Sequence, residues 1–553
     1  MLRKRNILIG CLAAGLLLSG VPSVETALAE TTLDVEETGS GVTVQGFYTD
    51  QGTPLAGVPA FLTVRGTDGQ LYHLDQVQTA SDGSYRFEWT MPSQASSGYY
   101  TVEVHIQGDK ESTEFHYEAT TDQAPIPPVS LSPYRFTGEL NGGQPQIVLA
   151  ETDDGLSISH SGGVTYVNVT ASKARSRVYS ASSDVHYLTI SVPERGRTVQ
   201  VNVPGSVIEE MLDEFGADAH LLVAAEAGSY DLPLKAVNSQ LLDGVITRSD
   251  GALQVTISSQ AQTPLSSISR EVTALGARQL VDPVTFGVNA VYSSQTIPLR
   301  DYGSSFVRYS INLSGAELNQ GGGRAQSTLL EHPRTGELVT APSKLYRDSL
   351  GHGKLVITRT GNGTYAAVEA DRSFGDTRNR TVENLASKFV IFGRSETQFD
   401  PRGSLTRAEF ATLMVRALGL SDKQGSAIFK DVPRTSWYQE PVAIGSSLGL
   451  INGYSTSQFA PQDKITREQM AALLSRSLQF VKGQRPYVDT TRILGTVSDR
   501  DKISAWARDD MALALSAGLL YTNRIDQIDP QRYATREEAA EMLSQLLKYL
   551  DML

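Results

Sequence analysis

The phrase Thr406-Arg407-Ala408-Glu409 returns twice near the end of the chain, as Thr466-Arg467-Glu468-Gln469 and Thr535-Arg536-Glu537-Glu538. Each copy lies five residues after a proline (Pro401, Pro461, Pro530). Behind each, apolar residues recur at three- and four-residue steps: Phe410, Leu413, Met414, Ala417, Leu418; then Met470, Leu473, Leu474, Leu478; then Ala539, Met542, Leu543, Leu546, Leu547. That spacing is the period of an amphipathic helix. The residues in front form a capping box, in which Thr accepts from the free N–H groups of the first turn and the Glu or Gln three positions on reaches back. Three equivalent helices therefore start at Thr406, Thr466 and Thr535.

The arginines of the phrase run against local energetics. A cation in the first helical turn opposes the macrodipole, at a cost of a few tenths to about 1 kcal/mol. A guanidinium beside unpaired N–H groups is suited to a carboxylate or phosphate, so an anionic ligand is one reading of Arg407, Arg467 and Arg536. The other is that duplication copied a surface arginine, or one that pairs structurally with an acid of a neighbouring repeat. The sequence leaves both open.

A length of 553 residues exceeds what one hydrophobic core uses, so three to five domains are expected. Arg3, Lys4 and Arg5 precede an apolar run from Ile7 to Gly20, and Ala27-Leu28-Ala29 offers a cleavage site before Glu30: residues 1–29 read as a secretory signal peptide. The only cysteine, Cys11, lies inside it. An exported mature chain would then hold no disulfide, thiolate metal site or thiol nucleophile. The formal net charge of −13, which becomes −15 on removal of the signal, argues against nucleic-acid binding. No later stretch is apolar for long enough to span a bilayer.

From about Thr31 to Ala119 apolar and polar residues alternate in short runs divided by turn signals, such as Val42-Thr43-Val44, Phe61-Leu62-Thr63-Val64 and Tyr100-Thr101-Val102-Glu103-Val104. Strands at this spacing predict an antiparallel sandwich over 30–120, with Trp89 in its core. The phrases Gly52-Thr53-Pro54-Leu55-Ala56-Gly57 and Asp82-Gly83-Ser84-Tyr85-Arg86-Phe87 resemble those of bacterial immunoglobulin-like surface modules. Residues 121–133, with Pro125, Pro127, Pro128 and Pro133, read as an extended linker. Beyond it, strand-like runs alternate with two helix candidates: one at a capping box of Ser206 and Glu209, carrying Val207, Ile208, Met211, Leu212 and Phe215, and one after Pro264 carrying Leu265, Ile268, Val272 and Leu275. A turn at Asp243-Gly244 divides this region into two β-rich α+β modules, 134–240 and 241–370.

Phe374-Gly375-Asp376, Phe429-Lys430-Asp431-Val432 and Val497-Ser498-Asp499 each open a unit that continues through a helix-like stretch, a turn of the kind Gly453-Tyr454 to Phe459-Ala460-Pro461, and the Thr-Arg helix. On these motifs the last third of the chain resembles three S-layer homology repeats, at 371–422, 423–483 and 484–553. The resemblance implies an all-α domain of pseudo-threefold symmetry whose inter-repeat grooves bind secondary cell-wall polysaccharide carrying pyruvate ketals. It thereby implies non-covalent anchoring to a Gram-positive-type wall. The residues it marks for polysaccharide are Asp376, Thr406, Arg407 and Glu409; Asp431, Trp437, Gly453, Tyr454, Thr466 and Arg467; and Asp499, Trp506, Thr535 and Arg536. Repeat one lacks the tryptophan, and repeat three has Thr522 where the others have Gly393 and Gly453. Arg467, in the most complete repeat, is expected to matter most, and its loss to spare folding. Trp437 and Trp506 suit stacking on sugar faces, although an aromatic near a helix start is more often core.

No catalytic constellation emerges. Gly445-Ser446-Ser447-Leu448-Gly449 has the G-x-S-x-G form but lies on a helix with no strand before it. Gly351-His352-Gly353-Lys354 lacks the spacing of a phosphate loop. The eight histidines are scattered, so neither a metal nor another cofactor is expected. Asp153-Asp154 and Glu209-Glu210 read as solvated. The expected protein is a non-enzymatic, wall-anchored surface protein with an unknown outward partner. The alternative is an anchored extracellular enzyme or polysaccharide-binding protein with its site in 134–370.

Overall fold

The structure is a computed structural model and describes residues 30–38, 41–50, 53–66, 71–91, 98–106, 109–117, 140, 143–192, 197–259, 267–319, 324–348, 351–426, 429–520 and 527–553. The signal segment, the proline-rich linker and Thr522 lie outside them, as does the side chain of Trp89. The chain divides into two compact units, 1–130 and 131–553.

The first unit is built from antiparallel strands in two sheets. Pro59–Gly66 pairs with Leu71–Gln78 and Gly98–Ile106, and the latter with Asp109–Tyr117. Gly41–Asp50 pairs with Ser84–Thr90, Asp34–Thr38 and Glu30–Thr31. The alternation in sequence becomes alternation in burial: Ala60, Leu62 and Val64 turn inward with Val102, Val104, Val42, Val44 and Phe87 to make one core. Gly83 closes the tight turn at φ +78°, where a Cβ would stand 2.6 Å from the Tyr48 carbonyl.

In the second unit the expected boundary at 240/241 does not separate two modules. One sheet runs Gln146–Leu149, Tyr187–Ser191, His220–Ala224, Gly228–Pro233, Val307–Leu313, Gly353–Arg359, Ser343–Arg347. The other contains Leu156–Ser161, Val164–Val169, Thr198–Pro204, Ala252–Ser259, Val284–Tyr292, Gly363–Ala370, Ala325–Glu331 and Leu338–Ala341 in that order. Both sheets draw strands from either side of residue 240. Their apolar faces share one core, in which Val201 and Leu221 lie with Leu253, Tyr309 and Leu355. Asp243-Gly244 is not a turn but part of the helix Ser239–Ile246. Gly244 is there for close approach, since a Cβ would meet the Tyr292 ring at 2.7 Å. The helix Gly205–Phe215 buries Val207, Ile208, Met211 and Phe215 as its period predicts, but its N-cap is Pro204 and the Ser206–Glu209 box does not form. Ser267–Ala274 buries Ile268 and Val272.

The C-terminal region carries the helices Arg380–Ser387, Arg407–Ala417, Gln439–Ser447, Arg467–Lys482, Thr490–Gly495, Arg508–Ser516 and Arg536–Tyr549 around a single core from Phe374 to Met552. All three predicted capping boxes are present. This region is docked on the β-rich part of the same unit. Fully buried Arg359 pairs with Asp422, and Lys423 with Asp301. Thr340 donates its hydroxyl to the Phe389 carbonyl at 2.6 Å, Arg334 reaches Glu440 at 2.8 Å and Lys344 reaches Asp551 at 2.6 Å.

Removing one partner of a buried ion pair leaves the other charge uncompensated, at a cost of about 3–5 kcal/mol. Arg359→Ala is expected to lose stability of that order in urea denaturation; a loss below about 1 kcal/mol would show that Asp422 is adequately solvated without it.

Candidate functional site

The three repeats close on one another through backbone. Just ahead of the capping threonines, the N–H of Leu405 donates to the Ala534 carbonyl at 3.3 Å, that of Ala534 to Ile465 at 3.0 Å, and that of Ile465 to Leu405 at 3.0 Å. The side chains of all three are fully buried. The helix starts are then satisfied across the repeat junctions. The first N–H donates to the adjacent repeat: Arg407 to Asp463 at 2.8 Å, Arg467 to Arg532 at 3.0 Å, Arg536 to Gly403 at 2.9 Å. The second does likewise: Ala408 to Pro461, Glu468 to Pro530, Glu537 to Pro401. The third donates to the hydroxyl of Thr406, Thr466 or Thr535, whose own N–H is taken by Glu409, Gln469 or Glu538. The expectation of free first-turn donors for an anion is thus corrected, because closure of the repeats supplies a protein acceptor to each.

The arginines follow the same cycle. The Nε of Arg407 donates to the Phe459 carbonyl at 2.9 Å, that of Arg467 to Ile528 at 2.6 Å and that of Arg536 to Phe399 at 2.7 Å. Nη2 of Arg407 reaches the Asn452 carbonyl and Nη2 of Arg536 the Phe392 carbonyl, while Nη1 of Arg467 bonds Glu538 at 2.9 Å. The three residues are 6%, 0% and 9% exposed, and burial lowers each guanidinium from its ordinary value. Of the two readings, pairing with the neighbouring repeat describes Arg467. A planar fork with several donors spans two acceptors of a turn as an ammonium does not.

Asp376, Asp431 and Asp499 grip the same turns from the other side. Asp376 accepts from the N–H groups of Phe399 and Asp400 at 2.8 and 2.7 Å, Asp431 from Phe459 and Ala460 at 2.9 and 2.7 Å, and Asp499 from Ile528 and Asp529 at 3.1 and 2.9 Å. These bonds hold the Asp376 carboxyl below its ordinary range. Each turn is thereby clamped by its own repeat's aspartate and by an arginine of another repeat. The clamp holds Asp400, Ala460 and Asp529 at φ of 63°, 57° and 46°, a strained region for residues with a Cβ. At Gly453 a Cβ would lie 2.4 Å from the Gln458 carbonyl and 2.5 Å from the Phe429 ring; Gly393 is equally confined. Glu409 is bonded to Arg394 as well as to its cap.

What faces solvent is different. Trp437 and Trp506, each two residues before a helix start, are 65% and 54% exposed rather than in the core. Tyr454 is exposed, 4.6 Å from the Arg407 guanidinium, with its hydroxyl accepting from Gln469 at 3.1 Å. Trp437 lines a cleft of about 480 Å³ between the helices Arg407–Ala417 and Gln439–Ser447, closed beyond by Leu329, His332 and Leu338 of the β-rich part. Arg416 stands in it, its guanidinium 4.7 Å over the Phe392 ring and its proton affinity lowered by burial. A second cavity, about 460 Å³, lies between the helices Arg380–Ser387 and Arg536–Tyr549 and the strands Ala325–Glu331 and Ser343–Arg347. Buried Lys388 lines it and is held at about 8, by desolvation and then by Lys344. Sequence reasoning found neither Arg416 nor Lys388, since no motif marks residues completed by distant strands. Among the described residues no cluster of three or more His, Cys, Asp or Glu could hold a metal, and no helix is long and apolar enough to cross a membrane.

Two expectations follow. Arg467→Ala should destabilise the fold by about 3 kcal/mol, since it strips the buried Ile528 carbonyl of a donor and leaves Glu538 with Arg532 as its one remaining guanidinium partner; unchanged urea denaturation would contradict this. Lys388→Met should gain up to ~3 kcal/mol at pH 7, because the folded state holds the lysine proton more weakly than the unfolded chain does. Between about 8 and the ordinary 10.5 the unfolded lysine keeps a proton that the folded one has lost, so wild-type stability rises with pH and the gain shrinks. Melting curves across that range check it, and a gain independent of pH would refute the cause.

Residues 428–471 match the family model of the S-layer homology domain. The chain is 32% identical over 200 residues to an amylopullulanase of Thermoanaerobacterium thermosulfurigenes, covering 35% of this chain and 10% of that protein. It is 32% identical over 166 residues to an endoglucanase of Bacillus sp. (strain KSM-635), covering 30% and 17%. It is 27% identical over 173 residues to the surface-layer 125 kDa protein of Lysinibacillus sphaericus, covering 31% and 14%. The chain thus spans under a fifth of the length of these relatives. It carries an S-layer homology domain in its C-terminal region, and with its surface-layer relatives this places it outside the cell, anchored at the wall.

Proposed function

We propose that the clefts beside the repeat junctions bind pyruvylated secondary cell-wall polysaccharide and that the protein, without catalysis of its own, displays its β-rich units outward from the wall. The observation that carries this reading is the pair of exposed tryptophans, Trp437 and Trp506, at equivalent places on a frame made rigid by the junction clamps. An exposed aromatic face beside a cleft suits the apolar face of a sugar ring. Arg416 supplies a cation for an acidic substituent in the first cleft. Tyr454, stacked against Arg407, extends the polar rim of the junction it adjoins. Arg467, Asp376, Asp431, Asp499, Gly453 and the capping residues Thr406, Thr466, Thr535 and Glu409 act by holding the frame, and Arg536 holds it with them.

A second reading, an anchored enzyme acting on a polysaccharide, draws support from two relatives named for glycoside hydrolysis and from Glu337 and Glu440, which both line the Trp437 cleft. Glu440 is tied to Arg334 at 2.8 Å, which favours a structural role for it. Reducing-sugar release from wall polysaccharide by the wild type, lost in Glu337→Gln, would establish this reading in place of the first.

The protein is expected in the wall fraction, released by denaturant without proteolysis. Trp506→Ala should lower affinity for purified wall polysaccharide by roughly fivefold, about 1 kcal/mol, with the melting temperature unchanged. Binding that is indifferent both to this substitution and to removal of the pyruvate groups would eliminate the proposed site.

A further inference from the structure

The cavity at Lys388 has a composition that the wall-binding reading leaves unused. Four of its lining residues are cations, Lys344, Arg380, Lys388 and Lys548, and among the described residues no Asp or Glu side chain lines it. Lys388 forms the floor. It is 9% exposed, and its ammonium donates to the Ser343 carbonyl at 3.0 Å. An ammonium carries three donors, so one carbonyl satisfies it only in part. Arg380 and Lys548 stand exposed at the rim. Lys344 is paired with Asp551 outside the lining. Leu553 also lines the cavity.

A buried ammonium is retained at a cost unless an anion meets it. A methionine would fill the same space without that cost, losing only the single bond to the Ser343 carbonyl. The volume, about 460 Å³, falls in the range of small-molecule sites and admits a group the size of one sugar residue around a single charged substituent. Helices and strands jointly build the walls, so the pocket exists only while the C-terminal region is docked on the β-rich part.

We propose that this cavity binds an oxyanion, a phosphate or carboxylate group, met from below by Lys388 and from the rim by Arg380 and Lys548. The group arrives either as a free ion or as a substituent of a wall polymer. The site stands independently of the tryptophan clefts, because it uses none of their residues.

The test uses the full chain, with inorganic phosphate and acetate as probes against chloride at equal ionic strength. At least one probe should raise the wild-type melting temperature above that in chloride. Lys388→Met, which folds without the buried charge, should lose that shift. Arg380→Ala, an exposed substitution, should weaken the probe's affinity about tenfold or more by calorimetry, the effect of one charge-assisted bond. Loss of binding to purified wall polymer in the same variants assigns the group to the polymer, and retained binding assigns it to a free ion; both uphold the site. A wild type that responds to neither probe, or variants that respond as the wild type does, would overturn it.

Discussion

The C-terminal region depends on one arrangement of backbone hydrogen bonds, the ring in which Leu405, Ala534 and Ile465 each donate to the next. Residues far apart in sequence are brought to one axis, and the ring has no free end. From that closure the rest follows outward. The first-turn N–H groups of each helix find carbonyls in the adjacent repeat, and the arginine of each helix start reaches across the junction to another repeat's turn. The unfavourable place of a cation against the helix dipole is offset by at least two bonds to protein acceptors, one of them a buried turn carbonyl in each repeat, each bond worth about 1 kcal/mol net. Without closure those carbonyls and N–H groups would lose their protein partners to water and the apolar residues of the shared core would be uncovered, so a repeat on its own has little reason to hold its shape.

The residues that clamp the junctions and the aromatic residues that face solvent are different ones. Asp376, Asp431 and Asp499, with Arg407, Arg467 and Arg536, are engaged by the strained turns before Pro401, Pro461 and Pro530. The tryptophans and Tyr454 are left outside, where an aromatic face meets water. Such exposure is unfavourable for folding and useful for recognition.

Docking of the β-rich part alters the pseudo-symmetry of the repeats. It closes the far side of the Trp437 cleft with Leu329, His332 and Leu338 and lends Lys344 to the basic cavity. Arg359, fully buried against Asp422, sets the register of this docking, since a shift of either part that kept the surfaces packed would leave a buried charge without its partner.

The sequence by itself determined what depends on near neighbours. The helix starts at Thr406, Thr466 and Thr535, their capping boxes and their apolar faces all rest on bonds and contacts within a few residues, and the alternation in the first unit likewise fixed which side chains turn inward. Tertiary structure decided what those local signals are used for. Arg536 meets the Phe399 carbonyl across 137 residues, an acceptor that no local pattern could announce, and so an apparent anion site is a structural clamp. Asp243-Gly244 reads as a turn but lies in a helix capped by Asn238, and its glycine answers the close approach of the Tyr292 ring. Two expected β modules are one, because strands from both sides of residue 240 cover each other's apolar faces. Trp437 and Trp506 read either as sugar-stacking faces or as core and are exposed, and Lys388 carries no motif at all: burial belongs to the surroundings of a residue, which exist only once distant segments have packed.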